Sequence, residues 1–262
     1  MKISKSTLSR VENAQVSVTT RNVTKLLRLY GLPDKDAVGL IELARDAQKY
    51  NWWVDYSAAM PHGLDGYIAF EDEATQLRTY DVQLVNGLLQ TTDYARAIIS
   101  AEFPEGPQEK IDERIELRLA RQRILERRKP PRLWFIFDEA VLHRPIGSPQ
   151  VMAAQLEHMI TMAQRPSITV QVLPFRQGAH MGMGGPFAML DFSNHPTVVY
   201  QENLSGALYL DKDYHVEMHG LAFDHLRATA LSPADTLAFL RMRAEAILEH
   251  GARESTDDHH PR

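Results

Sequence analysis

The sequence of 262 residues contains no cysteine, which excludes disulfide frameworks, cysteine nucleophiles and thiolate metal sites. It also has no apolar run that approaches the roughly 18 residues of a membrane-spanning helix. The amino terminus carries Lys2 and Lys5 with no apolar segment after them, so it lacks the pattern of a signal peptide. We therefore expect a cytoplasmic protein without a membrane segment.

Signatures of common cofactor and metal sites are missing as well. There is no H-E-x-x-H motif, and the glycine-rich run at residues 182–185 fits neither a P-loop nor a dinucleotide-binding fingerprint. His215 and His219 are four residues apart and would share a helical turn, but a solvated helix face explains that spacing better than a metal site does. We expect no cofactor and no metal.

Little in the sequence points to catalysis. The G-x-S-x-G nucleophile elbow is missing. Asp138, Glu139 and His143 follow a predicted strand and form a candidate acid–base set. Charged residues at the end of a strand more often line a pocket rim or cap the next element, so we expect that the protein is not an enzyme.

Charge is unevenly distributed along the chain. The formal net charge is −5, yet residues 1–30 contain six Lys and Arg residues and one acidic residue, a net charge of +5, so the rest carries −10. A basic segment on an acidic body is typical of a nucleic-acid reader, because local cations release counterions from phosphates whatever the charge of the whole chain. A short basic tail that arose by chance is the alternative.

Small hydroxyl residues alternate with cations in the first twelve residues. On a helix, Leu8 and Val11 would face inward. The opposite side would carry short donors and cations that suit phosphates and base edges, namely Lys5, Ser6, Thr7, Ser9 and Arg10. An ordinary capped surface helix is the alternative interpretation.

Residues 4–13 resemble the recognition-helix signature of Xre-type helix-turn-helix regulators, S-x-S-x-[hydrophobic]-S-R-[hydrophobic]-E-x-G, with Ala14 in place of the final glycine. The resemblance implies that Lys5 to Arg10 contact DNA. In that family two helices precede the recognition helix, so we expect a partial helix-turn-helix segment here. The next predicted helix is capped at Thr19 or Thr20, ends at Gly31, and offers Arg21 and Lys25 as phosphate contacts.

The remainder of the chain has the pattern of an α+β protein, with a small sheet from about residue 132 to residue 210. A strand at 133–137, a helix at 148–164 and a strand at 167–173 predict a parallel β-α-β crossover. Three short strands then follow, at 186–192, 197–201 and 207–210, before two closing helices. Helical patterns are also expected at 64–80 and, rich in arginine, at 108–128.

Three regions follow from this reading. Residues 1–50 form the partial helix-turn-helix with the helices after it, 51–250 form an effector- or partner-binding domain, and 251–262 form a flexible tail. From about residue 52 to residue 248 the chain is similar to the uncharacterised carboxyl-terminal domain of Xre-type regulators found mainly in actinomycetes, described as WhiJ-like or antitoxin-like. The matching segments include residues 116–122, 138–140, 144–147 and 170–175.

The resemblance implies a regulator with a sensor or partner-binding domain, often encoded beside a small acidic partner protein. We therefore expect a transcriptional regulator that binds an operator in DNA as a homodimer, because one short recognition helix gives limited affinity and paired half-sites increase it. The alternative is a truncated relative that no longer reads DNA and acts as an antitoxin-like protein-interaction module.

Overall fold

The computed structural model describes residues 20–33, 37, 39–41, 52–56, 60, 64–203 and 206–257. Contacts along the backbone divide the chain into two units, Met1–Asp55 and Tyr56–Arg262. Among the helices in the described ranges, none is long and apolar enough to cross a membrane.

Helix α1, Thr20–Leu29, belongs to the first unit. It ends at Gly31, whose φ of 69° is a left-handed conformation that glycine adopts without strain. The amide of Leu32 donates to the carbonyl of Leu27 over 3.0 Å, the closing hydrogen bond of a Schellman-type cap. The predicted end of this helix at Gly31 is thereby confirmed.

The second unit is built on a six-stranded mixed sheet with the strand order β3-β2-β1-β4-β5-β6. Strands β1, β2 and β3 are parallel, whereas β4 pairs antiparallel with β1 and the last two strands continue the antiparallel half. The strands are β1 (Gln76–Asp81), β2 (Arg132–Asp138), β3 (Ile168–Leu173), β4 (Phe187–Asp191), β5 (Val198–Asn203) and β6 (Gly206–Leu210).

Helices cover this sheet and connect its strands. They are α2 (Leu64–Glu73), α3 (Thr92–Glu102), α4 (Gln108–Arg121), α5 (Ala140–His143), α6 (Pro149–Met162), α7 (Asp213–Thr229) and α8 (Pro233–Asp257). Side chains cap the starts of two of these helices, since the hydroxyl of Thr91 accepts from the Tyr94 amide and that of Ser148 from the Val151 amide.

Both faces of the sheet are buried. On β2, Phe135 and Phe137 belong to the larger core with α6 and α8, while Ile136 belongs to a second core with Phe223 and Leu226 of α7. A strand that is buried on both faces has a continuous apolar sequence, because neither side of the pleat meets water. This explains the run of Leu, Trp, Phe, Ile and Phe at residues 133–137.

The α+β prediction is confirmed, and so is the parallel crossover from β2 through α6 to β3. The three short strands predicted near 186–192, 197–201 and 207–210 correspond to β4, β5 and β6. Helix α8 continues to Asp257, so the start of the segment predicted as a tail is helical. Residues 258–262 lie outside the described part of the chain.

The prediction of one helix over residues 64–80 is wrong beyond Glu73, where α2 ends. Residues 76–81 instead form β1, which lies between β2 and β4 in the middle of the sheet. Leu77 and Tyr80 are each 1% exposed and belong to the cores on opposite faces. The helical interpretation failed because the strands that pair with β1 are remote in sequence and decide its conformation.

A buried ion pair joins α2 to the end of α4. Nε and Nη2 of Arg121 donate to the two carboxylate oxygens of Glu71, each over 2.9 Å, and the two side chains are 9% and 3% exposed. Burial by itself would lower the pKa of Arg121, but the charge and hydrogen bonds of Glu71 raise it above its ordinary value. Arg121 therefore stays charged and paired with Glu71 inside the protein.

We expect the Glu71→Gln substitution to lower the free energy of unfolding by about 3–5 kcal/mol, because Arg121 would keep a buried charge without a counter-charge. Urea denaturation measures this change. Asp112→Asn is the matched control, since the Arg96–Asp112 pair has 46% of each side chain exposed and water screens it. The expectation fails if both substitutions have equally small effects.

Candidate functional site

Two of the residues predicted to contact DNA lie in the described part of the chain. Arg21 and Lys25 are both on α1, one helical turn apart. The side chain of Lys25 is partly exposed, while Leu27 of the same helix is buried. The other candidates fall outside the described residues, namely Lys5, Ser6, Thr7, Ser9 and Arg10.

The structure brings the candidate acid–base residues together at the carboxyl end of β2. Nε2 of His143 lies 3.1 Å from Oε1 of Glu139. The backbone amide of Phe175, in the turn after β3, donates to Oε2 of Glu139 over 2.8 Å. Glu139 therefore fastens the turn after β3 to the segment after β2.

Both carboxylate oxygens of Asp138 also accept hydrogen bonds from other residues of the chain. Its Oδ1 accepts from the amide of Ala140 over 2.9 Å, and its Oδ2 accepts from the hydroxyl of Tyr80 over 3.2 Å. Burial raises the pKa of Tyr80, and the charge of Asp138 raises it further, so the phenol remains a donor at neutral pH. The carboxylates of Asp138 and Glu139 are thus both held by hydrogen bonds within the chain, and these contacts fit a structural role.

The glycine-rich run permits close packing beside Tyr80. His180 contacts the Tyr80 ring edge to face, and its Nδ1 accepts from the Gly182 amide over 3.1 Å. A Cβ on Gly182 would lie 2.4 Å from a ring carbon of Tyr80. Glycine is therefore needed here for a close approach of the backbone to the Tyr80 ring in the segment before β4.

Asp81, at the carboxyl end of β1, is a titratable group that the sequence does not single out. The hydroxyl of Thr79 donates to its Oδ2 over 2.6 Å, and Nδ2 of Asn86 lies 3.5 Å from Oδ1. Burial raises the pKa of Asp81 to about 7, and the two hydrogen bonds offset that rise only in part. The carboxyl group therefore titrates close to neutral pH.

Most of the arginines in and after α4 are held by contacts within the chain. Besides Arg121, the guanidinium of Arg127 bonds to the carboxylate and the carbonyl of Asp72. The guanidinium carbon of Arg114 lies 3.9 Å from the ring centroid of Phe103. The arginine-rich helix is thus largely a structural element.

Arg118 differs from Arg121 and Arg127 because its hydrogen-bond partner is not an acid. Its Nη1 donates to Oε1 of Gln90 over 2.8 Å. The Gln90 amide is itself fixed, because its Nε2 donates to the carbonyl of Val85 over 2.6 Å. Burial lowers the pKa of Arg118 to about 10, so the guanidinium is still charged at neutral pH. Its hydrogen-bond partner is a neutral amide.

A cavity of about 20 Å³ adjoins Arg118. Its polar lining comes from Glu102, Arg114, Arg118 and Arg121, and its remaining walls are apolar side chains, Leu117 among them. This volume holds roughly one group of the size of a water molecule. Sequence reasoning missed this site because Gln90 and Arg118, although on neighbouring elements, are 28 residues apart in the chain.

A wider groove lies at the amino ends of β1 and β2, opposite the candidate acid–base residues. It has a volume of about 550 Å³ and is lined by residues 72–76, Arg127 and residues 129–132. Lys129 and Arg132 are exposed. Glu73 in the same lining is also exposed. Beside the Arg127–Asp72 pair the groove therefore presents two cations and one carboxylate, a formal charge of +1.

Apolar side chains are exposed on α7. Tyr214, Met218 and Leu221 are 68%, 43% and 49% exposed, and their spacing of four and three places them in one stripe along the helix. Met183, in the turn packed near α7, is 70% exposed. An apolar stripe of this kind is typical of surfaces that contact another macromolecule.

The described residues contain no group of three or more His, Asp or Glu side chains arranged to hold a metal ion. Nδ1 of His219 lies 2.7 Å from the carbonyl oxygen of His215, so this pair is bonded within α7. The helical turn predicted for the two histidines is therefore present and is stabilised by an internal hydrogen bond.

Asp81 leads to a prediction about pH. The folded protein keeps this carboxyl group protonated up to about pH 7, whereas an unfolded chain ionises it near pH 4. Unfolding therefore releases a proton between these values, so the contribution of Asp81 to the free energy of unfolding falls as the pH rises from about 4 to about 7. Asp81→Asn removes this contribution.

Between pH 4 and pH 8, we expect the free energy of unfolding of Asp81→Asn to rise by about 2–4 kcal/mol relative to that of the natural protein. Denaturation of both proteins across this range measures the difference. A difference that stays constant with pH contradicts the assignment.

Comparison with known proteins bears on the second unit. Residues 64–242 match the family model described as a domain of unknown function, DUF5753. No helix-turn-helix family matches, and nothing among the curated proteins or the solved structures matches the chain. The matched segment contains the whole six-stranded sheet and most of the helices packed on it. Because it covers more than half of the chain, the protein belongs to the DUF5753 family.

Proposed function

We propose that the protein is a DNA-binding transcriptional regulator whose DUF5753 domain binds an effector or a partner protein. The observation that carries this proposal is the sequence of residues 4–13, an Xre-type recognition signature inside a segment of net charge +5. The residues proposed to contact DNA are Lys5, Ser6, Thr7, Ser9 and Arg10.

Arg10 is the proposed reader of a base, since a guanidinium can donate two parallel hydrogen bonds to the major-groove edge of guanine. Arg21 and Lys25 are the proposed phosphate contacts, which position the protein without reading sequence. The partly exposed side chain of Lys25 on α1 is compatible with this role.

We further propose that the regulator acts as a homodimer on paired half-sites, the usual arrangement for helix-turn-helix proteins. The exposed apolar stripe of Tyr214, Met218 and Leu221 supports self-association, because burial of such a stripe against a second copy removes apolar surface from water.

We expect Arg10→Ala to weaken operator binding by about 1–3 kcal/mol and to reduce the preference for guanine at one base pair of the operator. Lys25→Ala should weaken binding to all sequences alike and make the affinity less dependent on salt. Gel-shift titrations at several salt concentrations distinguish these effects.

Arg123→Ala is the matched control for these titrations. It removes the same charge from an exposed position in the turn after α4, so it should leave DNA affinity unchanged. Equal effects of Arg10→Ala and Arg123→Ala would indicate non-specific charge attraction. If no operator fragment is retarded at all, the alternative is favoured, in which the protein is an interaction module that does not read DNA.

The groove at the amino ends of β1 and β2 favours a small acidic protein as the partner of the DUF5753 domain. It presents Lys129 and Arg132 on an exposed surface, and opposite charges across an interface accelerate association. The acidic body as a whole would repel such a partner, so a local cationic groove is the surface where contact is electrostatically favoured.

We expect the double substitution Lys129→Glu, Arg132→Glu to reduce capture of an acidic partner at least tenfold. Affinity purification from the native host with quantitative mass spectrometry measures the captured protein. The control is Arg176→Glu, which reverses an exposed charge in the turn after β3. Loss of the partner from both variants would show that net charge, not the groove, determines binding.

A further inference from the structure

Arg118 is a cation whose surroundings do not balance its charge. Its hydrogen-bond partner is the neutral amide of Gln90, and within the described ranges no ion pair includes it, in contrast to Arg121 with Glu71. Arg121 repels it, whereas Glu102, Glu202 and Glu71 attract it only through space. A desolvated guanidinium without an acid as its hydrogen-bond partner is costly, and an added anion would lower that cost.

The donors of Arg118 are also held in place before any ligand arrives. Gln90 is 2% exposed. Its side-chain amide donates to the carbonyl of Val85, and its backbone carbonyl accepts from Nε2 of Gln122 over 2.8 Å. A guanidinium has five N–H donors, and Gln90 accepts from Nη1. Pre-positioned donors bind an anion with little loss of side-chain entropy.

The cavity beside Arg118 selects the ligand by size and charge. Three guanidinium groups and one carboxylate, that of Glu102, contribute to its lining. Glu71 neutralises Arg121, so three cations minus two acids leave a formal charge of +1 at the cavity. The cavity volume of about 20 Å³ admits one group the size of a water molecule. A planar carboxylate can place one oxygen inside this space and leaves one oxygen at its rim, whereas a tetrahedral phosphate or sulfate would leave three oxygens there.

We propose that this cavity is a binding site for a single carboxylate, held by Arg118. The carboxylate belongs either to a small organic acid that acts as an effector or to an Asp or Glu side chain of a partner protein, since both present the same group. The site lies within the second unit and has a different lining from the groove near Arg132, and the proposal does not depend on DNA binding.

A purely structural role for Arg118 makes a different prediction. If Arg118 serves only to hold Gln90, the free protein is complete and carboxylates do not bind at this position. Glu102, on the exposed end of α3, distinguishes the two cases as well. Its negative charge would compete with a bound carboxylate, so its removal should strengthen binding.

The test uses the full chain labelled with ¹⁵N and the side-chain Nε–H resonances of arginine, titrated with acetate. A bulky sulfonate buffer keeps the ionic strength constant. We expect one resonance, identified by its loss in Arg118→Met, to shift in a saturable manner. Acetamide, which has nearly the same shape without the charge, should give no saturable shift.

The two substitutions give opposite expected results. Arg118→Met lacks the Arg118 resonance, so its acetate affinity is read from the Nε–H resonances of Arg114 and Arg121, which also line the cavity. This affinity should be at least tenfold lower, as expected for loss of a charged hydrogen bond. In Glu102→Gln the Arg118 resonance reports the affinity, which should rise about two- to fivefold. Because Glu102 is exposed, its substitution tests the proposal even if Arg118→Met does not fold. A response to acetate that both variants leave unchanged overturns the proposal.

A blocked peptide with a single glutamate identifies the source of the carboxylate. Tighter saturation by acetate at the Arg118 resonance supports a small organic acid, and tighter saturation by the peptide supports a partner side chain. If neither ligand saturates the resonance, the site does not bind carboxylates and the proposal is wrong. Gel shifts with Arg118→Met remain as a separate measurement of DNA binding.

Discussion

The buried pair of Glu71 and Arg121 constrains the rest of the second unit. Glu71 lies on the helix that leads into β1, and Arg121 lies at the end of the helix that leads towards β2. Two parallel hydrogen bonds of 2.9 Å fix the relative position of these helices. Because either charge alone would be costly in the interior, the two residues must be present together, and the start of the parallel half of the sheet depends on both.

The same constraint explains why arginine is frequent in α4 and the turn after it without forming one continuous cationic surface. Arg121 and Arg127 are paired with acids on α2, and Arg114 is stacked on Phe103. Arg118 is bonded to the neutral Gln90 instead. The local electrostatics thus separate arginines engaged by an acid or an aromatic ring from Arg118, whose hydrogen-bond partner is neutral.

The two ends of the parallel strands differ in character. At the carboxyl ends, where ligands of α/β proteins usually bind, Asp138 and Glu139 are engaged by Tyr80, His143 and backbone amides. At the amino ends, the exposed cations of the groove remain accessible. This distribution is compatible with the proposed role of the domain in binding another molecule.

The sequence by itself determined the fold class, the crossover from β2 to β3, the end of α1 at Gly31 and the cationic character of residues 1–30, because each depends on local periodicity or composition. It did not predict β1, whose pairing with β2 and β4 overrides a weak helical pattern. Only the tertiary structure decided that Arg121 is neutralised, that Arg118 faces a small cavity beside Gln90, and that Asp81 titrates near neutral pH. These properties arise from burial and from partners brought together by folding, which no local pattern in the sequence records.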